Sequence, residues 1–226
     1  MTIALHLQKV FQRIDDSVNL SNNNSHPVTL LAVSKTHKIN KIREAFEAGQ
    51  RDFGESYIQE AVEKIIALSD LDICWYFIGP IQSNKTQKIA KYFDWTLSVD
   101  RLKIAKRLSA QRPESKRPLN ICLQVNISEE DSKSGVLPTD LLELVEQIDQ
   151  LPRLKLRGLM CIPAKTDDVK QQAQAFHQMQ KLFTLLKSQY PDLDTLSMGM
   201  SADFDAAIAQ GSTMIRVGTD IFGKRN

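Results

Sequence analysis

Apolar residues follow two rhythms along this chain. Near its start Ile3, Leu7, Val10, Phe11, Ile14 and Val18 recur every three or four positions, a spacing that lines one side of a helix with core-facing groups. The Asn- and Ser-rich stretch 21–27 then reads as a loop. Beyond it, short continuous apolar runs alternate with longer stretches of helical period. The runs cover 28–33, 52–54, 74–79, 95–99, 121–125, 154–160, 195–198 and 214–217. Runs of this kind belong to parallel strands whose two faces are both covered, and the stretches between them supply the covering helices. The clearest helical stretch places Val169, Ala173, Phe176, Met179, Phe183 and Leu186 on one face. Asp167 and Asp168 stand at its start, where negative charge suits the helix dipole. Another carries Leu141, Leu144, Val145 and Ile148 behind an expected capping box of Asp140 and Glu143.

Eight strand–helix units predict an α/β fold, a single (β/α)8 barrel of the TIM type with an extra N-terminal helix, occupying residues 1–226 as one domain. A doubly wound open sheet is the alternative. The chain is 226 residues long, near the low end of the roughly 200 to 400 typical of such barrels. No low-complexity linker divides it.

Composition narrows the function classes. Hydrophobic residues at 42% and charged residues at 25% fit an ordinary globular protein. With 29 Lys+Arg against 27 Asp+Glu, the charge is too even for nucleic acid or an anionic membrane as main partner. The cluster Lys103, Lys106, Arg107, Arg112, Lys116, Arg117 has no interleaved aromatic residue and reads as a solvated helix face and loop. Cys74, Cys122 and Cys161 are far apart in apolar runs, as buried reduced thiols would be. His6, His26, His37 and His177 show no metal-ligand spacing. Gln8, Lys9, Gln12 and Arg13 interrupt the N-terminal apolar residues, which excludes a signal peptide, and no run approaches membrane-spanning length. The expected location is the cytoplasm.

In such barrels functional groups gather at the C-terminal ends of strands, and phosphate often binds after strands seven and eight. The first run ends in Ser34-Lys35. The seventh ends in Ser197-Met198-Gly199-Met200-Ser201, with a helix expected from about Ala202, and the eighth in Arg216-Val217-Gly218-Thr219. Closure makes these three ends neighbours. Gly199 and Gly218 permit close backbone approach, Ser201 and Thr219 offer hydroxyls, and Ser201 is expected at a helix N-terminus, where free amides bind an anion. Either segment alone reads as ordinary capping and turning; together they read as a phosphate cradle. Lys35 directly follows a buried strand, where desolvation and nearby cations lower an amine's pKa and leave it able to attack an aldehyde. The alternative is a lysine that snorkels to water at the barrel rim. His37 and Lys38 are expected to be exposed. Arg216 is placed to reach the barrel mouth and donate to an aromatic ring nitrogen, or else to form a structural ion pair. An amine, a phosphate cradle and a guanidinium match the three handles of pyridoxal 5′-phosphate (PLP).

Longer motifs surround these residues. They are Ala32-Val33-Ser34-Lys35-Thr36, Phe53-Gly54-Glu55, Phe77-Ile78-Gly79-Pro80-Ile81-Gln82-Ser83-Asn84-Lys85, Val125-Asn126-Ile127-Ser128 and Lys133-Ser134-Gly135. Arg157-Gly158-Leu159-Met160, Met198-Gly199-Met200-Ser201-x-Asp203 and Arg216-Val217-Gly218-Thr219 follow. With these segments in this order, the chain resembles the YggS-like pyridoxal-phosphate homeostasis proteins over nearly all its length after the first helix. The resemblance implies a barrel like the N-terminal domain of bacterial alanine racemase, with PLP as an internal aldimine on Lys35. It implies phosphate contacts from Ser201, Gly218 and Thr219, and Arg216 facing the pyridine nitrogen; Met198 and Gly199 are counted with them as cofactor-binding. It further implies buffering or delivery of PLP to apoenzymes, effects on amino-acid and keto-acid balance, and no established turnover.

Three positions depart from the family pattern. Ser56 stands where Asn is usual and Tyr76 where His commonly follows Trp75, both expected at the pocket rim. Asp220 replaces a small residue after Thr219. A carboxylate facing the phosphate would repel it, so Asp220 is expected to point away.

An amino-acid racemase is the competing reading. It needs acid–base groups on both faces of the substrate's α-carbon. Lys35 could serve one face, and Tyr57 or Tyr76 the other, since no second domain is expected after Thr219. A cationic Arg216 would disfavour ring protonation and weaken PLP as an electron sink. A Schiff-base aldolase using Lys35, and a protein-binding scaffold using the basic stretches 85–91 and 103–107, are further alternatives. A monomer is expected.

Overall fold

The structure, a computed structural model, describes residues 2–21, 27–130, 134–164, 166 and 168–224. Most of the expected 21–27 loop, with His26, lies outside the described residues, as do Lys133 of the Lys-Ser-Gly motif and Asp167. The first helix, α1 (Ile3–Leu20), is capped by Thr2, whose hydroxyl accepts from the Leu5 N–H at 3.3 Å. It buries Ile3, Leu7, Val10 and Ile14. Phe11, expected on the same face, is 41% exposed, because it stands about 100° around the helix from Val10.

The barrel elements follow in strict alternation. They are β1 (Thr29–Val33), α2 (Ile39–Glu47), β2 (Asp52–Glu55), α3 (Ile58–Ala67), β3 (Cys74–Phe77), α4 (Thr86–Tyr92), β4 (Trp95–Val99) and α5 (Leu102–Gln111). Then come β5 (Leu119–Val125), α6 (Leu141–Asp149), β6 (Leu154–Cys161), α7 (Val169–Gln189), β7 (Thr195–Met200), α8 (Phe204–Ala209), β8 (Met214–Val217) and α9 (Thr219–Phe222). Every strand pairs in parallel with the next, and β8 closes on β1 through Leu31 opposite Arg216 and Ala32 opposite Val217. This is the closed (β/α)8 barrel with an added N-terminal helix, and the open sheet is excluded.

Side-chain alternation along each strand divides the core in two. Leu31, Tyr76, Leu97, Cys122, Met160 and Met214 point inward and fill the barrel, while Leu30, Ala32, Phe53 and Ile215 point outward under the helices. Gly158 sustains the β6–β7 contact. Its φ is +156°, and an added Cβ would lie 1.7 Å from the Thr195 carbonyl oxygen.

Several local expectations need correction. The capping box does not form: Asp140 ends a 3₁₀ turn (Pro138–Asp140) with helical φ −99° and makes no side-chain cap to α6. A cap needs an extended backbone, which Pro138 and the turn deny it. Asp168 does cap α7, accepting from the Lys170 N–H at 2.8 Å. Val169 is 72% exposed, so the buried stripe of α7 begins at Phe176. Arg112 is 5% exposed rather than solvated, because its guanidinium donates to the carbonyls of Ala90, Phe93 and Arg117 and ties the ends of α4 and α5 together. All three cysteines are free; Cys122 and Cys161 are buried and Cys74 half-buried. Among the described residues no helix is long and apolar enough to cross a membrane.

Candidate functional site

At the C-terminal mouth of the barrel lies a cavity of about 270 Å³. Strand alternation selects its lining. Val33 and Lys35 continue the inward face of β1 above Leu31, Ile78 continues that of β3, Ile162 that of β6, and Gly218 that of β8 above Arg216. Ser56, Met160, Met200, Ser201, Ala202 and Thr219 complete it. The cavity therefore joins four of the expected site residues, Lys35, Ser201, Arg216 and Thr219, to the backbone of a fifth, Gly218.

Lys35 is half-buried, and its Nζ donates to Ser56 Oγ at 3.3 Å. The Ser56 departure thus stands beside the amine itself. The turn that carries Lys35 is anchored on both sides by buried charge. Ser34 Oγ donates to Glu55 Oε1 at 2.6 Å, and Lys64 Nζ donates to the Ser34 carbonyl and to Glu55 Oε1, each at 2.8 Å. Lys64 also pairs with Glu60, whose Oε1 accepts from the Thr36 N–H at 2.6 Å. Thr36 is left-handed at φ 68°, a conformation that costs a non-glycine residue energy and that the Glu60 contact holds in place. Burial pushes the Glu55 carboxyl above its ordinary range, with Lys64 and Ser34 opposing, and its Oε2 meets no partner among the described residues. Sequence reasoning missed Lys64. The available signal was a lysine in register with Ala61 and Leu68 on the buried stripe of α3.

Arg216 is 5% exposed. Its Nη1 donates to the Ser197 carbonyl at 2.9 Å and to Ser197 Oγ at 2.8 Å, and its Nη2 to the Cys161 carbonyl at 2.9 Å. The partners are neutral oxygens on β6 and β7, so the guanidinium is braced sideways across the barrel, and burial lowers its pKa.

Beside the β1 turn, across the barrel closure, the loops after β7 and β8 meet. Ser201 is not at a helix N-terminus as expected. α8 begins three residues later, at Phe204, because the Asp203 carboxylate accepts the Met200 N–H at 2.6 Å and closes a turn first. Thr219 is the first residue of α9. Met198 and Gly199 stand apart from the lining. Met198 follows the inward Ser197 and so points outward into the core under the helices, and a register irregularity between Ser197 and Met200 brings Met200 inward. Gly199, at φ +92°, serves a close approach to α8, since an added Cβ would lie 2.6 Å from Ala207 Cβ. Asp220 faces Arg13 of α1, with 3.4 Å between Oδ2 and Nη1.

Other expected residues lie elsewhere. Tyr76 is at the N-terminal half of the barrel rather than the rim, stacked on Trp95 at 5.2 Å. It lines a separate groove with Thr29, Arg157 and Asp194, because it sits one inward position below Ile78. His37 is 9% exposed instead of open to solvent, its ring stacked on Phe222 at 5.1 Å. Lys38 is exposed, and Tyr57 is 53% exposed beside Ser56.

A closed barrel with a lysine ending its first strand and hydroxyl-bearing loops after its seventh and eighth defines a class of PLP-type barrels. The family described as "Alanine racemase, N-terminal domain" matches residues 10–226. The chain is 53% identical to the pyridoxal phosphate homeostasis protein of Pasteurella multocida (strain Pm70), covering 100% of this chain and 99% of that one. It is 49% identical to that of Escherichia coli (strain K12), covering 99% and 97%. PipY of Synechococcus elongatus PCC7942, solved with PLP bound, superposes with a TM-score of 0.84 at 38% identity, covering 98% of this chain and 100% of that one. The chain belongs to the pyridoxal phosphate homeostasis protein family. Alanine racemase from Corynebacterium glutamicum shares the fold at 16% identity and a TM-score of 0.65, this chain covering 61% of it.

Proposed function

We propose that this chain holds PLP in the cavity at the barrel mouth and serves PLP homeostasis in the cytoplasm, by buffering the cofactor or delivering it to apoenzymes. It acts as a monomer and as one barrel domain over residues 1–226. The observation that carries this reading is the convergence of Lys35, Arg216, Ser201 and Thr219 on one cavity of about 270 Å³. The donor set fits the cofactor. Lys35 supplies an amine for covalent attachment and Ser56 orients it. Val33, Ile78, Met160 and Ile162 offer apolar walls for a flat ring. Arg216, held by β6 and β7, supplies a donor for the ring nitrogen. Ser201 and Thr219 supply hydroxyls for the phosphate, and Gly218 allows the backbone close. When bound, PLP supplies an aldehyde that condenses reversibly with amines.

The same geometry favours holding over turnover. Lys35 can hold or move a proton on one face only. Tyr76 sits at the far end of the barrel, and Tyr57 is mostly in solvent. A cationic Arg216 disfavours a protonated ring nitrogen and so a stabilised carbanion. Relatives at about 50% identity carry the homeostasis name. The test loads the protein with PLP and follows two readouts. Recovery of activity in a separate apo PLP-dependent enzyme is expected, with no exchange of α-hydrogen from a panel of amino acids in deuterated water. Rapid α-hydrogen exchange that depends on Lys35 would establish the racemase reading instead.

A further inference from the structure

One side chain of the N-terminal helix binds both loops that form the phosphate end of the cavity. Arg13 Nη1 donates to the Ser201 carbonyl at 3.1 Å and lies 3.4 Å from Asp220 Oδ2. Ser201 belongs to the loop after β7, and Asp220 directly follows Thr219 after β8. A single nitrogen therefore joins two segments that each contribute a hydroxyl to the cavity.

The guanidinium is itself held fast. Its Nε donates to both Asp205 oxygens, at 2.9 and 3.0 Å, Nη2 pairs with Asp205, and Cζ lies 3.9 Å from the centroid of the Phe204 ring. Ser17, one turn along α1, donates to Asp205 Oδ1 at 2.8 Å. Phe204 and Asp205 open the helix that follows Ser201, so α1 grips α8 and through it the loop. Desolvation pushes the Asp205 carboxyl up, but Arg13 and Ser17 outweigh it and hold it below its ordinary range. Charge does not explain the arrangement as attraction for phosphate, since one cation faces two carboxylates. Geometry does.

We infer that Arg13 is a positioning residue for the phosphate of PLP, fixing the spacing of Ser201 and Thr219 and holding the Asp220 carboxylate off the cavity. The inference rests on the cavity being a PLP site. It accounts for an acidic residue beside Thr219: with Arg13 present, Asp220 has a cation to face, and without it the carboxylate is free to oppose the phosphate.

The test compares two ligands that share ring and aldehyde, PLP and 5′-deoxypyridoxal, which lacks the phosphate. Dissociation constants come from absorbance titration of the wild type, Arg13→Met, Arg13→Lys and Arg13→Met combined with Asp220→Asn, with circular dichroism as the folding control. Arg13→Met is expected to weaken PLP by about tenfold or more, the worth of one hydrogen bond to a charged group, and 5′-deoxypyridoxal by less than about twofold. Asp220→Asn should restore part of the loss, and Arg13→Lys should fall between, keeping the charge without the fork. Equal weakening of both ligands, or unchanged PLP binding, would overturn the inference. Should Arg13→Met fail to fold, Arg13→Lys carries the same ordering of the two ligands. A wild type that binds no PLP fails the underlying reading instead, which keeps the two failures distinct.

Discussion

Lys64 offers the sharpest test of how the lysine turn is held. The substitution Lys64→Met removes an amine that is 4% exposed and bonded to Ser34, Glu55 and Glu60. It leaves Glu55, 0% exposed, with a charge that has lost its cation and an Oε2 already without a partner among the described residues. Breaking a buried pair from one side costs about 3–5 kcal/mol. The Glu60 arm, 31% exposed, adds little, since water screens it. For a chain of this size that loss lowers Tm by roughly 6–20 °C. The deficit should depend on pH. Burial raises the folded-state pKa of Glu55 above its unfolded value and Lys64 opposes the rise, so the variant's value climbs further. A raised carboxyl binds its proton more tightly when folded. The penalty is therefore full above the folded pKa and shrinks as pH falls through it toward the ordinary value of about 4.3. Urea unfolding at about pH 8 and about pH 5 reads both effects, and the variant should lose clearly less at the acid end. Because Glu55 and Glu60 anchor Ser34 and Thr36, PLP binding should weaken as well. A loss below about 1 kcal/mol at both pH values would refute the reasoning.

Two further outcomes follow from burial. Arg216→Met strands the carbonyls of Ser197 and Cys161 without their donor, so stability should fall by about 2–3 kcal/mol and PLP should bind at least about tenfold more weakly, read by urea unfolding and absorbance titration. Burial pushes the Cys74 and Cys161 thiols up to about 12 and the Cys122 thiol higher still, so alkylation of the folded protein at about pH 8 should be far slower than in denaturant. Mass spectrometry of the labelled peptides checks it, and rapid native labelling at all three positions would contradict the burial.

Most of the barrel was legible because its strands are buried on both faces and read as continuous apolar runs, each within a few residues of the strand observed. The position of Lys35 directly after the first run, and of Arg216 in the last run two residues before Gly218, also placed both at the mouth. β7 was less legible: Met198, next to the inward Ser197, faces the helices, and the irregularity between Ser197 and Met200 puts Met200 on the cavity in place of Gly199. The polar anchors were hidden for a different reason. Arg112, His37 and Lys64 look like surface residues in sequence, and their burial depends on carbonyls, a ring and carboxylates supplied by neighbouring elements. Arg13 is hidden likewise, since its partners lie nearly two hundred residues away.

The most direct measurement incubates the purified protein with PLP, records visible absorbance, reduces with borohydride and maps the modified peptide. The account predicts a yellow protein with the pyridoxyl group on Lys35, and no label at that peptide in Lys35→Met. A protein that stays colourless, or one labelled at Lys38 with Lys35 unmodified, would contradict it.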